Sequence, residues 1–266
     1  MKSVNFRYIA LFSLLIFLYS CEKVNLQTAD PNVAVVESYI NPGNEIQVKI
    51  KKQIVFDGDD AGGGFIENLE VKIQHEGSWE NLVYKYDSIY VLESIVVGAG
   101  NVYEIEFEYN EKVITSETII PNRPENFQTS SSTIYITQMG PGSEPSEPEE
   151  LTWTNPDLDY HMVVVESIDE DAELIFDSDD DHPPRSFRNA PVQGDEQELS
   201  PRSFTYYGRH RVILYRLNPE YAALYEDLGS SSLDLVAPPS NIENGLGIFT
   251  GINADTLYVN VIAASK

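Results

Sequence analysis

Three aspartates, Asp177, Asp179 and Asp181, alternate with other residues, and carboxylates at this spacing can offer their oxygens to one cation. Oxygen ligands suit a hard cation, and the spacing matches the start of a calcium-binding loop. An EF-hand loop has Gly at its sixth position and Glu at its twelfth, where this chain has His182 and Arg188. Two interpretations therefore stay open: a calcium site with these three aspartates as ligands, or a solvated acidic loop.

The only cysteine, Cys21, follows a basic start and a long apolar run. Lys2 and Arg7 supply positive charge, and the apolar segment at 8–19 is too short to span a bilayer comfortably. Residues 18–21, Leu-Tyr-Ser-Cys, resemble a bacterial lipobox, in which the thiol is acylated and the leader is removed. Several acyl chains anchor a protein stably, because each buried methylene contributes about 0.8 kcal/mol. We therefore predict a signal peptide at 1–20, a lipidated Cys21 and a tether at 21–31.

Other catalytic and metal-binding patterns are missing from the sequence. The four histidines, His75, His161, His182 and His210, have no metal-ligand spacing, and no HExxH motif occurs. No G-x-S-x-G nucleophile turn, P-loop or dinucleotide fingerprint is present. Carboxylates are so abundant that no pair stands out for glycoside hydrolysis. We therefore predict a protein that is not an enzyme, with no catalytic residues and no cofactor, calcium at the three aspartates being the one alternative left open.

The charge of the chain is strongly negative, with 43 acidic and 17 basic residues and a net charge of −26. Such a charge opposes binding to nucleic acid or to bare anionic lipid, so neither is expected as a partner. It keeps an exported protein soluble, and it also suits the capture of cations or basic partners. With Cys21 consumed by lipid, no disulfide is available, and the hydrophobic core must hold the fold.

The hydrophobic pattern beyond residue 32 has a period of two, which predicts an all-β fold of short antiparallel strands. We predict strands at 46–50, 69–73, 103–109, 133–137, 151–153, 162–165, 204–207, 212–215, 246–249 and 256–262. Pro121 and Pro124 interrupt this pattern, because proline cannot continue a central strand. The prediction is two β-sandwich domains, at 32–122 and 123–266, the second carrying a long acidic insertion at 167–203.

One helix and one glycine-rich segment stand out near the end of the chain. Asn218 is a candidate N-cap, Pro219 suits the first helical position, and apolar residues follow at helical spacing up to residue 228. Further on, Asn241, Gly245 and Gly247 allow a local turn and close backbone approach. This closing segment is either a structural turn before the last strands or a loop that binds a ligand.

Part of the second half resembles a fibronectin type III domain. The residues that carry the resemblance are Leu-Thr-Trp-Thr-Asn-Pro at 151–156 and Tyr-His-Met-Val-Val-Val at 160–165, which look like its B and C strands. The resemblance implies that Trp153 closes strand B and packs between the two sheets. Both predicted domains are accordingly expected to be sandwiches of the immunoglobulin or fibronectin type III kind.

The order of features along the whole chain resembles a family of Bacteroidota lipoproteins that share a domain of unknown function. Its most specific part is the closing Ser-Asn-Ile-x-x-Gly-x-Gly-Ile-Phe at 240–249. Members of that family are often encoded beside TonB-dependent receptors. The resemblance implies no reaction. It implies a lipid-anchored outer-membrane protein, periplasmic or surface-exposed, that serves as an accessory subunit of a TonB-dependent transporter.

A different interpretation is a surface adhesin that binds glycans or matrix and has no transporter partner. Aromatic rings stack on the apolar faces of sugars, and several aromatic residues could line such a face. These residues are Trp79, Tyr84, Tyr206, Tyr207 and Tyr215.

Overall fold

The strands and the helix of this protein are seen in a computed structural model, which describes residues 32–53, 64–94, 96–137, 147–176, 180, 182–226 and 239–264. Within these residues the strands are β1 (Ala34–Ile40), β2 (Ile46–Lys52), β3 (Lys72–His75), β4 (Ser78–Asn81), β5 (Val83–Tyr86), β6 (Ile89–Leu92), β7 (Val102–Tyr109), β8 (Lys112–Ile119), β9 (Glu125–Thr129), β10 (Thr133–Ile136), β11 (Glu149–Thr154), β12 (Tyr160–Ser167), β13 (Ser186–Arg188), β14 (Glu196–Leu199), β15 (Gly208–Leu217) and β16 (Leu246–Ala263). The one α-helix of the described residues is α1 (Pro219–Glu226), and it is too short to cross a membrane. The predicted all-β sandwich fold is confirmed.

Strands β1 to β8 build the first sandwich. One of its sheets has the order β1-β2-β6-β5, and the other has the order β4-β3-β7-β8. Alternation along β7 shows how the sequence builds the core: Tyr103, Ile105 and Phe107 are buried, and the glutamates between them face outward. These residues pack against apolar side chains of β1, β2 and β3 in the first hydrophobic core.

The second sandwich has the three-stranded sheet β14-β11-β9 on one side and the order β13-β12-β15-β16 on the other, with β10 parallel to β16. Trp153 on β11 is 5% exposed and lies in the second hydrophobic core, as the fibronectin type III resemblance implied. The predicted acidic insertion contributes β13 and β14, which pair with β12 and β11. That segment is therefore part of both sheets of this sandwich.

Strand β16 joins the two sandwiches, because its 18 residues run through both. Residues 246–251 lie parallel to β1, and residues 252–261 pair antiparallel with β15. A single nine-stranded sheet results, in which β16 and β1 are neighbours. The prediction of separate strands at 246–249 and 256–262 is therefore wrong. The residues between them, Thr250–Asp255, continue the pairing with β1 and β15 in place of a turn.

Two further differences from the sequence pattern have local causes. The predicted strand at 204–207 is wrong: a 3₁₀ turn at Pro201–Ser203 precedes it, and Phe204 is buried beside the His210 ring. The first core also contains Ile242 and Phe249, from the region that the sequence assigned to the second domain. They reach this core because β16 begins beside β1.

Candidate functional site

A groove of about 560 Å³ lies on the outer face of the nine-stranded sheet, where β16 meets β1. Its volume falls in the range of about 300–1,000 Å³ that is typical of small-molecule sites. Strands β12, β15 and β16 supply the floor, β13 and β1 supply two sides, and α1 supplies another. The lining residues are Tyr39, Met162, Val164, Glu166, Ser186, Arg188, Tyr215, Leu217, Tyr221 and Ile252.

The sequence builds this groove by making two strands apolar on both faces. On β12, Val163 and Val165 point into the second core, while Met162 and Val164 point to the groove. Strand β15 repeats the pattern, because Val212 and Leu214 lie in the core while Tyr215 and Leu217 line the groove. A strand that is apolar on both sides is typical of a sheet covered on both faces. Here α1 and a tyrosine cluster provide part of the outer cover.

The tyrosine cluster consists of Tyr39, Tyr221 and Tyr225. The Tyr39 and Tyr221 rings meet edge to face with their centroids 5.8 Å apart, and Tyr221 lies 5.9 Å from Tyr225. The Tyr225 hydroxyl donates to Met162 Sδ at 3.6 Å. Burial raises the pKa of Tyr39, of Tyr215 and, most strongly, of Tyr221, to which a hydrogen bond with Tyr225 contributes. These phenols are therefore neutral at physiological pH and can donate or accept hydrogen bonds.

The charged residues of the groove are unequally paired. Glu166 on β12 forms an ion pair with Arg211, which lies opposite it on β15. Arg188 on β13 lies opposite Val164 and forms no ion pair with any acidic side chain among the described residues. Its positive charge opposes the increase in pKa of both Tyr39 and Tyr221, which places it within electrostatic reach of both rings. Within the part of the chain that the structure describes, the groove therefore presents an exposed guanidinium without an ion-pair partner beside its aromatic side.

A buried polar network positions α1, and with it Tyr221. The Asn218 amide donates to Thr118 Oγ1 at 3.0 Å and to the Ile119 carbonyl at 2.8 Å. The Thr118 hydroxyl donates in turn to Glu220 Oε1 at 3.1 Å, and Thr250 donates to the same oxygen at 2.9 Å. Asn218 precedes the helix as predicted, but its side-chain amide donates hydrogen bonds to β8 and does not cap the helix. Its backbone carbonyl accepts hydrogen bonds from the N–H groups of Tyr221 and Ala222 in the first turn.

The residues of the predicted binding loop, Asn241, Gly245 and Gly247, contact other parts of the same chain. The Asn241 amide donates to the Phe249 carbonyl at 2.7 Å, and the Phe249 N–H donates back to Asn241 Oδ1 at 3.0 Å. A Cβ at Gly245 would lie 3.2 Å from the Ala34 carbonyl oxygen, and one at Gly247 would lie 1.9 Å from that of Val36. These three residues hold the start of β16 against β1. Their role in ligand binding stays a prediction, and none of them lines the groove.

Two other predicted sites lie outside the described residues, namely the lipidated Cys21 and the calcium ligands Asp177, Asp179 and Asp181. Over the described ranges, no three His, Cys, Asp or Glu side chains are grouped so that they could hold a metal ion. His161 and His210 are 1% exposed and lie against Trp153 and Phe204 in the second sandwich.

The aromatic residues predicted as a glycan-binding face lie on different elements. Trp79 is 43% exposed on β4 of one sheet, and Tyr84 is on β5 of the other, where its ring meets Tyr90. Tyr206 is buried and donates to the Pro183 carbonyl at 3.0 Å. Of that set, only Tyr215 lines the groove. The groove itself was not predicted, although the unbroken apolar runs at 162–165 and 212–215 point to strands covered on both faces.

Comparison with known proteins identifies a family. The family model described as a domain of unknown function, DUF4249, matches residues 22–257. No curated protein matches the sequence significantly. Among solved structures, the FN1–FN3 domains of chicken CNTN1 are 10% identical, with a TM-score of 0.30, 88% of this chain covered and 68% of that one. A two-domain fibronectin type III segment of chicken tenascin is 13% identical, with a TM-score of 0.24 and coverages of 70% and 90%. Domains A168–A170 of titin are 10% identical, with a TM-score of 0.21 and coverages of 86% and 67%.

Proposed function

This chain belongs to the DUF4249 family, and within that family we propose that it is a non-enzymatic binding subunit anchored to the outer membrane through lipid on Cys21. Its proposed partner is a TonB-dependent receptor, to which it delivers a ligand captured outside the barrel. The lipobox-like stretch at 18–21 supports the anchor, and the closing segment at 240–249, through the family it resembles, supports the partner.

The observation that carries the binding role is the tyrosine-lined groove. It combines an apolar floor, three neutral phenols and one guanidinium, which is the usual composition of a small-molecule site. The network around Thr118 fixes the helix that carries Tyr221, so this side of the groove is in place before a ligand arrives. Preorganisation of this kind lowers the entropic cost of binding.

The partner is tested by purifying the tagged protein from its native envelope in mild detergent and identifying bound proteins by mass spectrometry. We expect a stoichiometric TonB-dependent barrel with the wild-type protein and its loss with Cys21→Ala, because the variant is not held at the membrane. Return of the lipoprotein alone under several detergents would refute the transporter role. Retention on glycan or matrix columns would then favour the adhesin.

The groove is tested separately by denaturing the purified protein and identifying released small molecules by mass spectrometry. We expect compounds that accompany the wild type and Trp79→Ala but are absent from Tyr221→Ala. Trp79 is a suitable control because it is an exposed aromatic residue on another sheet. Identical profiles for all three proteins, with thermal unfolding of Tyr221→Ala unchanged, would show that the groove is not the binding site.

A further inference from the structure

The chemistry of the groove restricts the class of ligand that the proposed binding subunit would take, and this inference rests on the groove being its binding site. Seven of the ten lining side chains are aliphatic, thioether or tyrosine, and three are polar or charged: Glu166, Ser186 and Arg188. Glu166 is already bonded to Arg211. Among the described lining residues, a ligand would therefore meet one charge without an ion-pair partner, the guanidinium of Arg188.

This inventory disfavours a saccharide. A sugar carries a hydroxyl on most of its carbons, and each buried hydroxyl without a partner costs binding free energy. Apart from the phenols, Ser186 and Arg188 are the only lining residues, among those that the structure describes, whose side chains can donate hydrogen bonds. The floor of Met162, Val164 and Ile252 instead favours a ligand body without polar groups.

The guanidinium selects the charge of the ligand. Arginine binds carboxylates through two parallel hydrogen bonds, which is stronger and more directional than a neutral contact. The net charge of −26 repels anions in general, but charges more than about 8 Å away are largely screened at physiological salt. A carboxylate in contact with Arg188 therefore experiences mainly that nearby positive charge.

We propose that the groove binds a small amphipathic carboxylate, with its acid group on Arg188 and its apolar or aromatic body against the tyrosine cluster and the floor. The occupant is a free small molecule. Capture of a protein chain at this face is an alternative outcome of the test.

The test compares each acid with its primary amide, which has the same shape and no charge. The probes are 3-phenylpropanoate, 4-methylpentanoate and octanoate with their amides, and glucuronate as an anion with a polar body. Binding is measured by ligand-observed NMR on the full-length protein, purified as the cell makes it and held in lipid nanodiscs, with empty nanodiscs as the blank. We expect at least one apolar acid to bind about tenfold or more tightly than its amide, as a charge-assisted hydrogen bond requires.

Variants assign the difference to one side chain. Arg188→Gln should remove the preference for the acid while leaving amide binding unchanged. Arg188→Lys should retain part of this preference, because lysine keeps the positive charge but cannot donate two parallel hydrogen bonds to a carboxylate. Arg202→Gln is the matched control: this exposed arginine in the 3₁₀ turn forms no ion pair with the described acidic residues, and it does not line the groove.

Several results would overturn the inference. Equal binding of acids and amides, unaffected by Arg188→Gln, would show that the groove takes neutral ligands, and the proposed binding role would survive. Tight binding of glucuronate alone, or no binding of any apolar acid at millimolar concentration, would also overturn it. Release of a peptide from the groove in the denaturation experiment would identify a protein partner instead. Failure of the transporter role is seen separately, as the loss of the barrel protein from the purification.

Discussion

Replacing Gly247 by alanine should destabilise the protein more than the same change at Gly43 or Gly251, because two costs coincide at Gly247. Its φ is +102°, in the range that side chains of L-residues rarely adopt. The new Cβ would also lie 1.9 Å from the Val36 carbonyl oxygen, directly across the pairing of β16 with β1. Neither atom can move aside unless the two strands separate.

The magnitude follows from these two control glycines, each of which has one of the costs. Gly43 has φ +83° with no atom within 4 Å of its added Cβ, so Gly43→Ala should cost about 1 kcal/mol. This value is the energetic cost of a positive φ in an L-residue, reduced because alanine has less conformational entropy than glycine in the unfolded chain. Gly251 has no positive φ, but its Cβ would lie 2.3 Å from the Ile119 carbonyl oxygen, so Gly251→Ala should cost about 2 kcal/mol. Gly247→Ala should then cost about 3 kcal/mol or more.

The assay is equilibrium unfolding in urea of the chain from residue 22 onwards, followed by circular dichroism and by the fluorescence of the buried Trp153. The midpoint should shift at an unchanged m-value, since the area exposed on unfolding is the same for each variant. A free-energy change for Gly247→Ala within about 1 kcal/mol of that for Gly43→Ala would refute the reasoning. It would mean that β16 does not hold β1 at this distance.

Two further predictions concern buried polar groups. His161 and His210 have lowered pKa values because burial disfavours their charged forms, so the unfolded chain binds more protons below about pH 6.5. The free energy of unfolding should therefore fall as pH drops from about 7 to 5.5, by at most about 1.4 kcal/mol per pH unit for each histidine. Phenylalanine at both positions should reduce this slope in urea titrations, and an unchanged slope would assign it to other groups. Thr118→Val should cost about 2 kcal/mol by calorimetry, because it removes a buried hydroxyl from the network at α1. Thr115→Val on the same strand should cost under about 1 kcal/mol, since Thr115 bonds an exposed glutamate, and equal losses would contradict the role of the network.

Periodicity predicted eight of the sixteen strands in the described residues, among them β2, β7 and β11, in which buried side chains alternate with outward-facing ones. The alternation at 103–109 and the Trp at 153 lie where the pattern places them. Periodicity could not show that residues 246–263 form one strand, since a strand with a different neighbour at each end changes its pattern partway along. The 3₁₀ turn before Phe204 was equally hidden, because buried aromatic residues in turns and strands look alike in sequence.

The groove depends on contacts between distant parts of the chain, which is why sequence patterns did not locate it. Tyr39 and Tyr221 are far apart in sequence and come together because β16 places β1 beside the second sandwich. Arg188 reaches the groove because a segment predicted as an acidic insertion pairs with β12. The closing segment, in contrast, stood out in sequence because its glycines allow close backbone approach, and the structure accounts for them through β1.

The pairing of β1 with β16 also determines how the protein would bear a mechanical load. Strand β1 begins at Ala34, directly after the predicted tether, and lies between β2 and β16. Its hydrogen bonds to these neighbours run across the strand, so a pull along β1 from the proposed lipid anchor would load them together in shear instead of opening them one by one. Force would pass from β1 into the 18 residues of β16 and reach the second sandwich without crossing a flexible linker.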